Sequence, residues 1–329
     1  MKRKFLSVLL SLAVCMSTTT MSANAQAGYF NEYTTVYDAG STNECTSMQG
    51  MCMDKENGKV YYIKKNDNDT KAMISRMDVS SKKKNDLKQK TSSGKNSTTS
   101  DLYHANDMEF VRIDGKAYLF VVTCSDSATY NIIKLYVKGN TYKKVASYKV
   151  KKTVTVKKNG KKVKEKQKVS VSGISLIGEN GDNLNFMMKK GSTIYKATIG
   201  KSLKNKKTIM LSSGCKLNLK KSKINGKKIS NIGKYLSQGF TYHNGKVFTP
   251  YTYENKSVIF VFSVDGNGDL PKSVVGDTDL SFRITSKAFS LFEIESCAIA
   301  KDGKLYFNCN TNGTDKIAYF KNKSQTFEF

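Results

Sequence analysis

The stretch Glu295–Phe307, ESCAIAKDGKLYF, decides the fold because it joins two short apolar segments through an Asp-Gly turn. A polar residue opens the stretch, positions 297–300 form the first apolar segment, and positions 304–307 form a second, aromatic-rich one. Asp-Gly or Asn-Gly between two such segments is typical of a β-hairpin with a two-residue turn. The stretch therefore predicts a hairpin.

Four further stretches repeat this pattern along the chain. They are Gln49–Ile63, Asn106–Val121, the looser Ser172–Met187, and Gln238–Phe248. Together with the first stretch they open at positions 49, 106, 172, 238 and 295. Self-similarity at a period of about sixty residues indicates a repeat architecture.

Further strands follow each hairpin. Third strands are predicted at Ala72–Val79, Tyr130–Val137, Thr193–Ile199, Val258–Val264 and Lys316–Phe320, and fourth strands at Lys143–Val150, Thr208–Leu211 and Ser281–Thr285. Four-stranded sheets repeated around an axis are the blades of a β-propeller. We predict an all-β fold, a five-bladed β-propeller, in which the early segment Tyr33–Asp38 completes and closes the last blade. A stacked β-solenoid is the structural alternative.

The N-terminus has the pattern of a secretory signal peptide. Lys2, Arg3 and Lys4 precede the apolar segment Phe5–Met16, and Ala23-Asn24-Ala25 has the small residues of a cleavage site. We predict a signal peptide over residues 1–27, a single propeller domain over 28–329, and an extracellular, secreted protein.

The chain is strongly basic, with a formal net charge of +28. Removing Lys2, Arg3 and Lys4 with the signal peptide would leave +25. Such a charge attracts anionic partners over a long range. Lysines greatly outnumber arginines, which suits diffuse attraction better than bidentate readout. We expect a monomer whose partners are an anionic wall polymer, a glycan or a membrane surface, and no nucleic acid.

A basic insert at about 149–171 alternates Val and Lys on both sides of Asn159-Gly160, which predicts a second kind of hairpin. Its predicted basic surface comprises Lys151, Lys152, Lys157, Lys158, Lys161, Lys162 and Lys164. A solvated, protruding hairpin and a docking surface for an anionic envelope are both open interpretations. The polar, lysine-rich residues 80–100 predict a mobile loop instead.

Neither a metal nor a cofactor is predicted. The segment 265–271 begins like a calcium-binding loop, but Leu270 and Gly276 stand where such a loop has Gly and Glu, so a polar turn is expected. With only His104 and His243 in the chain, a His-based metal site has little support. Six cysteines would remain after signal cleavage, and their sequence leaves free thiols and disulfides equally open.

The first residues of the repeated hairpins are expected to line the mouth of the propeller channel. This ring comprises Gln49, His104, Asn106, Asp107, Ser172, Gln238, Glu293 and Glu295. Its amides suit the binding of sugar hydroxyls. A purely structural ring, whose polar groups bond to one another and close the propeller, is the alternative. The same choice holds for His104, as an acid–base group or as a hydrogen-bonded structural residue.

A glycoside hydrolase needs two carboxylates beside the scissile bond. Asp107 and Glu295 are the pair that the ring offers, with Glu293 on the same strand face as Glu295. The other positions carry amides or Ser, which cannot transfer protons. We therefore expect binding rather than catalysis, assign no catalytic residue, and keep glycoside hydrolysis by Asp107 and Glu295 as an alternative.

Several short motifs together resemble the helveticin J family of large, heat-labile, secreted bacteriocins. They are His104-Ala-Asn-Asp-Met108, Gln238-Gly-Phe240, Ser281–Thr285 and Leu291–Cys297, and the resemblance extends from about residue 45 to the end of the chain. It implies an antibacterial protein that acts on the envelope of Gram-positive bacteria and inhibits growth. It supplies no catalytic residues. A lectin-like glycan-binding module without killing activity is the other reading of the same features.

Overall fold

The computed structural model describes residues 33–40, 44–91, 93–202, 207–286 and 288–321. The predicted signal peptide lies outside these residues. The first half of the described chain contains β1 Tyr33–Ala39, β2 Ser47–Asp54, β3 Lys59–Lys65, β4 Ala72–Asp78, β5 Lys84–Asp86, β6 Lys88–Lys90, β7 Asn96–Ser97, β8 Asp107–Ile113, β9 Lys116–Val122, β10 Ile132–Lys138, β11 Thr141–Lys158, β12 Lys161–Lys168, β13 Gly173–Asn180 and β14 Asn183–Lys190.

The second half is built in the same way. It contains β15 Thr193–Gly200, β16 Thr208–Leu211, β17 Cys215–Leu217, β18 Lys223–Ile224, β19 Lys227–Lys228, a 3₁₀ turn at Ile232–Lys234, β20 Leu236–Ser237, β21 Thr241–His243, β22 Lys246–Tyr253, β23 Lys256–Ser263, β24 Ser273–Val274, β25 Phe282–Thr285, β26 Phe292–Ile299, β27 Leu305–Thr311 and β28 Asp315–Phe320. The described residues contain no helix that is long and apolar enough to cross a membrane.

The strands form an all-β, propeller-like arrangement. Within the described residues there are five sheets of four or more strands and one two-stranded ribbon, β18–β19. The sheets run outward as β2-β3-β4-β5, β8-β9-β10-β11, β13-β14-β15-β17, β22-β23-β25 with β20 and β21 beside β22, and β26-β27-β28-β1. The five repeated hairpins are the innermost pairs of these sheets, as the sequence predicted.

The turn chemistry explains why these hairpins form. In the second hairpin, Asp114 (φ 50°) and Gly115 (φ 70°) both occupy the left-handed region. A two-residue turn with positive φ at both positions matches the twist of the flanking strands, and Asp-Gly tolerates it at low cost. Because the register is fixed at the turn, the apolar residues of both strands take their correct faces.

The hydrophobic core lies between the sheets. In β9, Phe120 and Val122 pack towards the third sheet, whereas Leu119 and Val121 pack towards the first. Strands buried on both faces read as continuous apolar runs, which explains the Tyr-Leu-Phe-Val-Val sequence here. Four clusters join successive sheets, and a further cluster packs the last sheet on the first. The sheets therefore follow one another around a common centre.

The N-terminal strand belongs to the last sheet, as predicted. Strand β1 pairs antiparallel with β28, from Tyr33 opposite Phe320 to Ala39 opposite Asp315. Lys64 of the first sheet reinforces this junction. Its ammonium lies 2.8 Å from Asp315 and donates to the Ala39 carbonyl at 2.9 Å. The Lys64 and Asp315 side chains are only 2% and 3% exposed, so this ion pair is buried between the first and last sheets.

Two strand predictions were wrong. Thr208–Leu211 was expected as the fourth strand of the third sheet, but β16 pairs in parallel with β11 of the second sheet, and β17 takes the expected place. Residues 80–100 were expected to form a mobile loop. They contain β5, the outer strand of the first sheet, and β6 and β7, which extend the second. Short polar strands at sheet edges lack the apolar alternation on which the prediction relied.

Candidate functional site

The predicted channel-mouth ring is largely buried. Of its members, Gln49, Asn106, Asp107, Gln238 and Glu295 have 7% or less of their surface exposed, Ser172 and Glu293 are half-buried, and His104 remains partly accessible. We expected these residues to open onto solvent, and their burial shows that this expectation was wrong. The physical reason is the close approach of the inner strands at the centre.

Hydrogen bonds connect ring residues to neighbouring sheets. The Asn106 amide donates to the Ser172 carbonyl at 2.7 Å. Asn308 donates to the Gln49 carbonyl, and the Gly239 N–H donates to the Glu295 carbonyl at 2.7 Å. Ring residues therefore connect the first sheet to the last, the second to the third, and the fourth to the last.

Asp107 is the centre of this arrangement. One carboxylate oxygen accepts a hydrogen bond from Ser296 Oγ at 2.7 Å, and the other accepts from the Ile174 and Phe240 N–H groups at 3.1 and 3.3 Å. Asp107 lies on the second sheet, and its three donors lie on the last, third and fourth sheets. It has no exposed surface. A single carboxylate thus joins four sheets.

Of the five residues at the second position of the repeated hairpins, only Asp107 was predicted as part of the site. These positions are Gly50, Asp107, Gly173, Gly239 and Ser296. A Cβ on Gly50 would lie 2.8 Å from the Asp107 backbone, and one on Gly239 would lie 2.8 Å from both Asp107 Oδ1 and Ser296 Oγ. Four small residues around one acid are the signal that could have identified the centre, because only small residues leave room for the carboxylate.

Lys189 supports the same region from β14. It is fully buried, and its ammonium donates to the Gln238 carbonyl, to Thr249 Oγ1 at 2.8 Å and to Ser237 Oγ at 3.1 Å. Burial lowers the pKa of Lys189, and the negative charge of Asp107 opposes that fall. Burial likewise raises the pKa of Asp107, while its hydrogen bonds oppose the rise. The two charges stabilise each other inside the protein.

Glu295 directly precedes Ser296, the hydroxyl donor to Asp107. It occupies an irregularity in β26, where the register with β27 shifts between Ile294 and Ser296. Burial raises its pKa well above the usual range, reinforced by the nearby carboxylates of Glu293 and Asp315. Because Asp107 has no exposed surface, it cannot contact a glycosidic oxygen in this conformation. The fold therefore does not present Asp107 and Glu295 as an accessible carboxylate pair.

His104 is held by a carboxylate. Its Nδ1 lies 3.1 Å from Asp69 Oδ2, and Lys65 Nζ lies 2.8 Å from Asp69 Oδ1. Although burial raises the pKa of Asp69, the hydrogen bonds from Lys65 and His104 hold it below its ordinary value. This is the geometry expected of the hydrogen-bonded structural interpretation of His104.

His243, at the end of β21, should make stability depend on pH. Burial and then the Lys55 charge lower its pKa to about 4, from 6.5. Between pH 6.5 and 4 the unfolded state binds more protons at this site, so stability falls as the pH falls through this window. We expect His243→Gln to show a shallower acid slope in urea unfolding than the unsubstituted protein.

The slope above pH 7.5 is the internal control for this prediction. Above pH 7.5 His243 is neutral in both the folded and the unfolded state. The free energies of unfolding of the two proteins should therefore change in parallel with pH. Identical slopes between pH 4 and 6.5 would show that burial does not lower the pKa of the His243 imidazole.

The calcium-like segment is a closed polar turn. Asp265 accepts from the N–H groups of Asn267 and Gly268 at 2.8 and 3.1 Å, and the Lys196 ammonium donates to the Gly268 carbonyl. A cation thus already occupies the carbonyl side of the turn. Within the described residues, no group of three or more His, Cys, Asp or Glu side chains could hold a metal ion. The six described cysteines are all free thiols.

The basic insert forms the predicted hairpin, in which β11 continues from the second sheet and pairs with β12 from Lys151 opposite Lys168 to Lys158 opposite Lys161. Alternation sorts its side chains onto two faces. The lysine face carries Lys151, Thr153, Thr155, Lys157, Lys162, Lys164, Lys166 and Lys168. Six of these eight residues are lysines, and none is acidic.

The opposite face of the hairpin is mixed. It carries Lys152, Val154, Val156, Lys158, Lys161, Val163, Glu165 and Gln167. Lys158 is paired with Glu165 at 2.5 Å, and the Lys152 ammonium lies 5.1 Å from the centre of the Tyr195 ring. Three of the seven predicted basic-surface lysines therefore lie on this mixed face, and four lie on the lysine face.

No protein-family model and no curated protein matches the chain. Similar solved structures include a thermostable family-43 glycoside hydrolase, at 12% identity and a TM-score of 0.48, covering 90% of this chain and 97% of that one. An endo-arabinase from Bacteroides thetaiotaomicron has 12% identity and a TM-score of 0.45, with coverages of 90% and 100%. The PQQ-bound aldose sugar dehydrogenase from Streptomyces coelicolor has 9% identity and a TM-score of 0.39, with coverages of 88% and 97%. Since all three scores are below 0.5, none of these activities is carried over.

Proposed function

We propose that this chain is a secreted, cationic, five-bladed β-propeller that binds anionic polymers of the bacterial envelope through the lysine face of β11–β12. The observation that carries the proposal is the composition of that face, with six lysines and no acid. Two pairs, Lys151 with Lys168 and Lys157 with Lys162, place like charges directly opposite each other. Such pairs destabilise a sheet, and a bound polyanion would relieve the repulsion.

The residues around the lysine face favour a polyanion without nucleobases as the partner. The aromatic residues of β11 and β12 are Tyr142 and Tyr148, and both are buried. Single-stranded nucleic acid binding relies on exposed aromatic rings on which bases stack. A flexible lysine suits the spaced carboxylates or phosphates of an envelope polymer, since it acts as a point charge. The net charge of +28 adds attraction at longer range.

The test compares binding to isolated Gram-positive cell walls before and after chemical removal of their anionic polymers. We expect K157Q/K162Q/K164Q to bind about 10- to 100-fold more weakly, because each lysine near an anionic surface contributes about 1 kcal/mol. The matched control is K82Q/K83Q/K90Q, which removes the same charge from exposed positions outside the hairpin. Binding should fall as salt rises.

If both triple variants lose the same amount of wall binding, the loss follows from net charge alone, and the hairpin is refuted as the docking surface. Equal binding to stripped walls would refute an anionic polymer as the partner.

We also propose growth inhibition as the consequence of this binding, supported by the helveticin J resemblance and by the apolar Val154, Val156 and Val163 opposite the lysine face. A time-kill assay on Gram-positive strains tests it. Wall binding without any loss of viability would leave a lectin-like module and remove the inhibitory role. Hydrolysis by Asp107 and Glu295 is not proposed, because Asp107 has no exposed surface.

A further inference from the structure

A second cationic feature lies far from the hairpin in sequence, in a groove between the fourth and last sheets. The groove has a volume of about 1030 Å³ and is lined by parts of β1, β23 and β25 and by the segment around the 3₁₀ turn. Small-molecule sites commonly measure roughly 300–1,000 Å³. This groove therefore has room for a ligand of several rings.

Within the described residues, the charged side chains that line the groove are all basic, and the Glu254 carboxylate lies near its Tyr253 edge. Lys228, Lys256 and Arg283 are among its lining residues, and no Asp or Glu is. All three side chains are exposed. A groove lined by one sign of charge concentrates oppositely charged ligands. The lining therefore favours an anionic ligand.

Arg283 is the group best suited to fix an anion. Among the described parts of the chain, Arg76 and Arg112 have bonded guanidinium groups: Arg76 donates to the Gly139 carbonyl and to Asn140, and Arg112 pairs with Asp54. Arg283, by contrast, makes no hydrogen bond or ion pair within the described residues. Its planar fork matches a carboxylate or phosphate in a bidentate manner, which a lysine cannot do.

Aromatic rings complete the groove. Tyr235 and Tyr253 lie with ring centres 5.7 Å apart, and both line it. Tyr33 of β1 also lines the groove and is held against Phe292, with ring centres 5.4 Å apart. Burial raises the pKa of the Tyr235 phenol, the Arg283 charge opposes that rise, and the Glu254 charge adds to it, so the guanidinium and this carboxylate both act on the ring. Tyrosine rings beside cations present apolar surface to a ring and hydrogen-bonding groups to its substituents.

We infer that this groove is a binding site for an anionic oligosaccharide, whose sugar rings pack on Tyr235 and Tyr253 and whose carboxylate or phosphate group is held by Arg283. The strand edge adds hydrogen-bonding capacity, because among the described residues β25 is the outer strand of its sheet and pairs only with β23. The site is independent of the hairpin, and the inference does not rest on wall binding.

The experiment is isothermal titration calorimetry on the purified protein with three tetrasaccharide probes: tetragalacturonate, tetragalactose that carries a phosphate monoester on each ring, and neutral tetragalactose. We expect at least one anionic probe to bind and the neutral one to bind at least tenfold more weakly. The tighter binder of the first two probes shows whether the groove prefers a carboxylate or a phosphate.

Variants locate the site. R283Q should weaken binding of the anionic probe about 10- to 100-fold, as expected for loss of a charged hydrogen bond worth about 1.5–3 kcal/mol. Y253L should weaken it as well, with less change in salt dependence, because the ring carries no charge. The hairpin variant K157Q/K162Q should bind the probe within twofold of the unsubstituted protein. Arg283 and Lys157 are both exposed, so folding should be preserved, and circular dichroism checks it.

Three results would overturn the inference: no binding of either anionic probe, equal binding of tetragalactose, or an R283Q affinity within twofold of the unsubstituted protein. Loss of wall binding in the lysine-face variants with unchanged tetragalacturonate affinity would support both sites as separate. Unchanged wall binding in those variants, with tetragalacturonate binding that R283Q weakens, would leave only the groove. Weaker wall binding in those variants without any tetragalacturonate binding would leave only the hairpin.

Discussion

Replacing Asp107 with alanine is expected to lower the free energy of unfolding by about 3–5 kcal/mol, because it leaves two buried N–H donors without an acceptor, at about 1–3 kcal/mol each. Those donors are the Ile174 and Phe240 N–H groups, whereas Ser296 Oγ keeps the Met51 carbonyl at 3.3 Å as a second acceptor. The change also removes the carboxylate whose charge most strongly favours the buried Lys189 ammonium. The measurement is the urea midpoint and slope at pH 7.

Two comparison variants sharpen this result. Asp107→Asn keeps the shape but turns an amide N–H₂ towards the donors, so it should recover only part of the loss. Asp302→Ala removes an acid whose pair with Lys304 is 48% exposed on the Asp side, and its cost should stay below about 1 kcal/mol. An Asp107→Ala protein within 1 kcal/mol of the unsubstituted one would show that the carboxylate does not hold the sheets together.

Replacing Lys64 with methionine is expected to cost about 3–5 kcal/mol, since it leaves the Asp315 carboxylate buried without its partner. It also removes the donor to the Ala39 carbonyl, so the junction between the first and last sheets should open before the rest of the protein. Hydrogen exchange of the β1 and β28 amides would show this local opening directly.

The chain provides a matched control for this change. Lys71 pairs with Glu44 at 2.6 Å, but their side chains are 47% and 51% exposed. Lys71→Met should therefore cost no more than about 1 kcal/mol. The double variant Lys64→Met/Asp315→Leu should recover much of the loss, because no charge remains buried alone. A Lys64→Met cost equal to that of Lys71→Met would contradict the role assigned to the buried pair.

The hairpins were predictable from sequence because their information is local. Asp114-Gly115 fixes a turn, and the turn fixes the register of β8 and β9 without reference to the rest of the chain. The third strands followed from apolar runs of ordinary length. The pairing of β16 with β11 was not predictable, since its four polar and apolar positions carry no signal for a partner in another sheet.

The sequence predicted which residues meet at the candidate site, but not that they are buried there. Alignment of the repeats brought Asn106, Ser172 and Glu295 to one region, and the structure joins their neighbours through hydrogen bonds. The alignment could not show burial, which depends on how closely the inner strands approach. That distance is set by Gly50 and Gly239, whose missing side chains admit Asp107 to the centre. The groove around Arg283 was missed because its residues come from distant parts of the chain.

The pairing of β1 with β28 has a consequence for assembly of the molecule. Tyr33 and Phe320 lie near opposite ends of the described chain, so this contact closes a very large loop and is expected to form late in folding. Until it forms, β28 is an open sheet edge with unpaired backbone groups. The β1 segment of a second molecule carries the same sequence and offers the same hydrogen bonds. Refolding at high concentration therefore favours strand exchange between copies, whereas dilute refolding favours the self-contained ring.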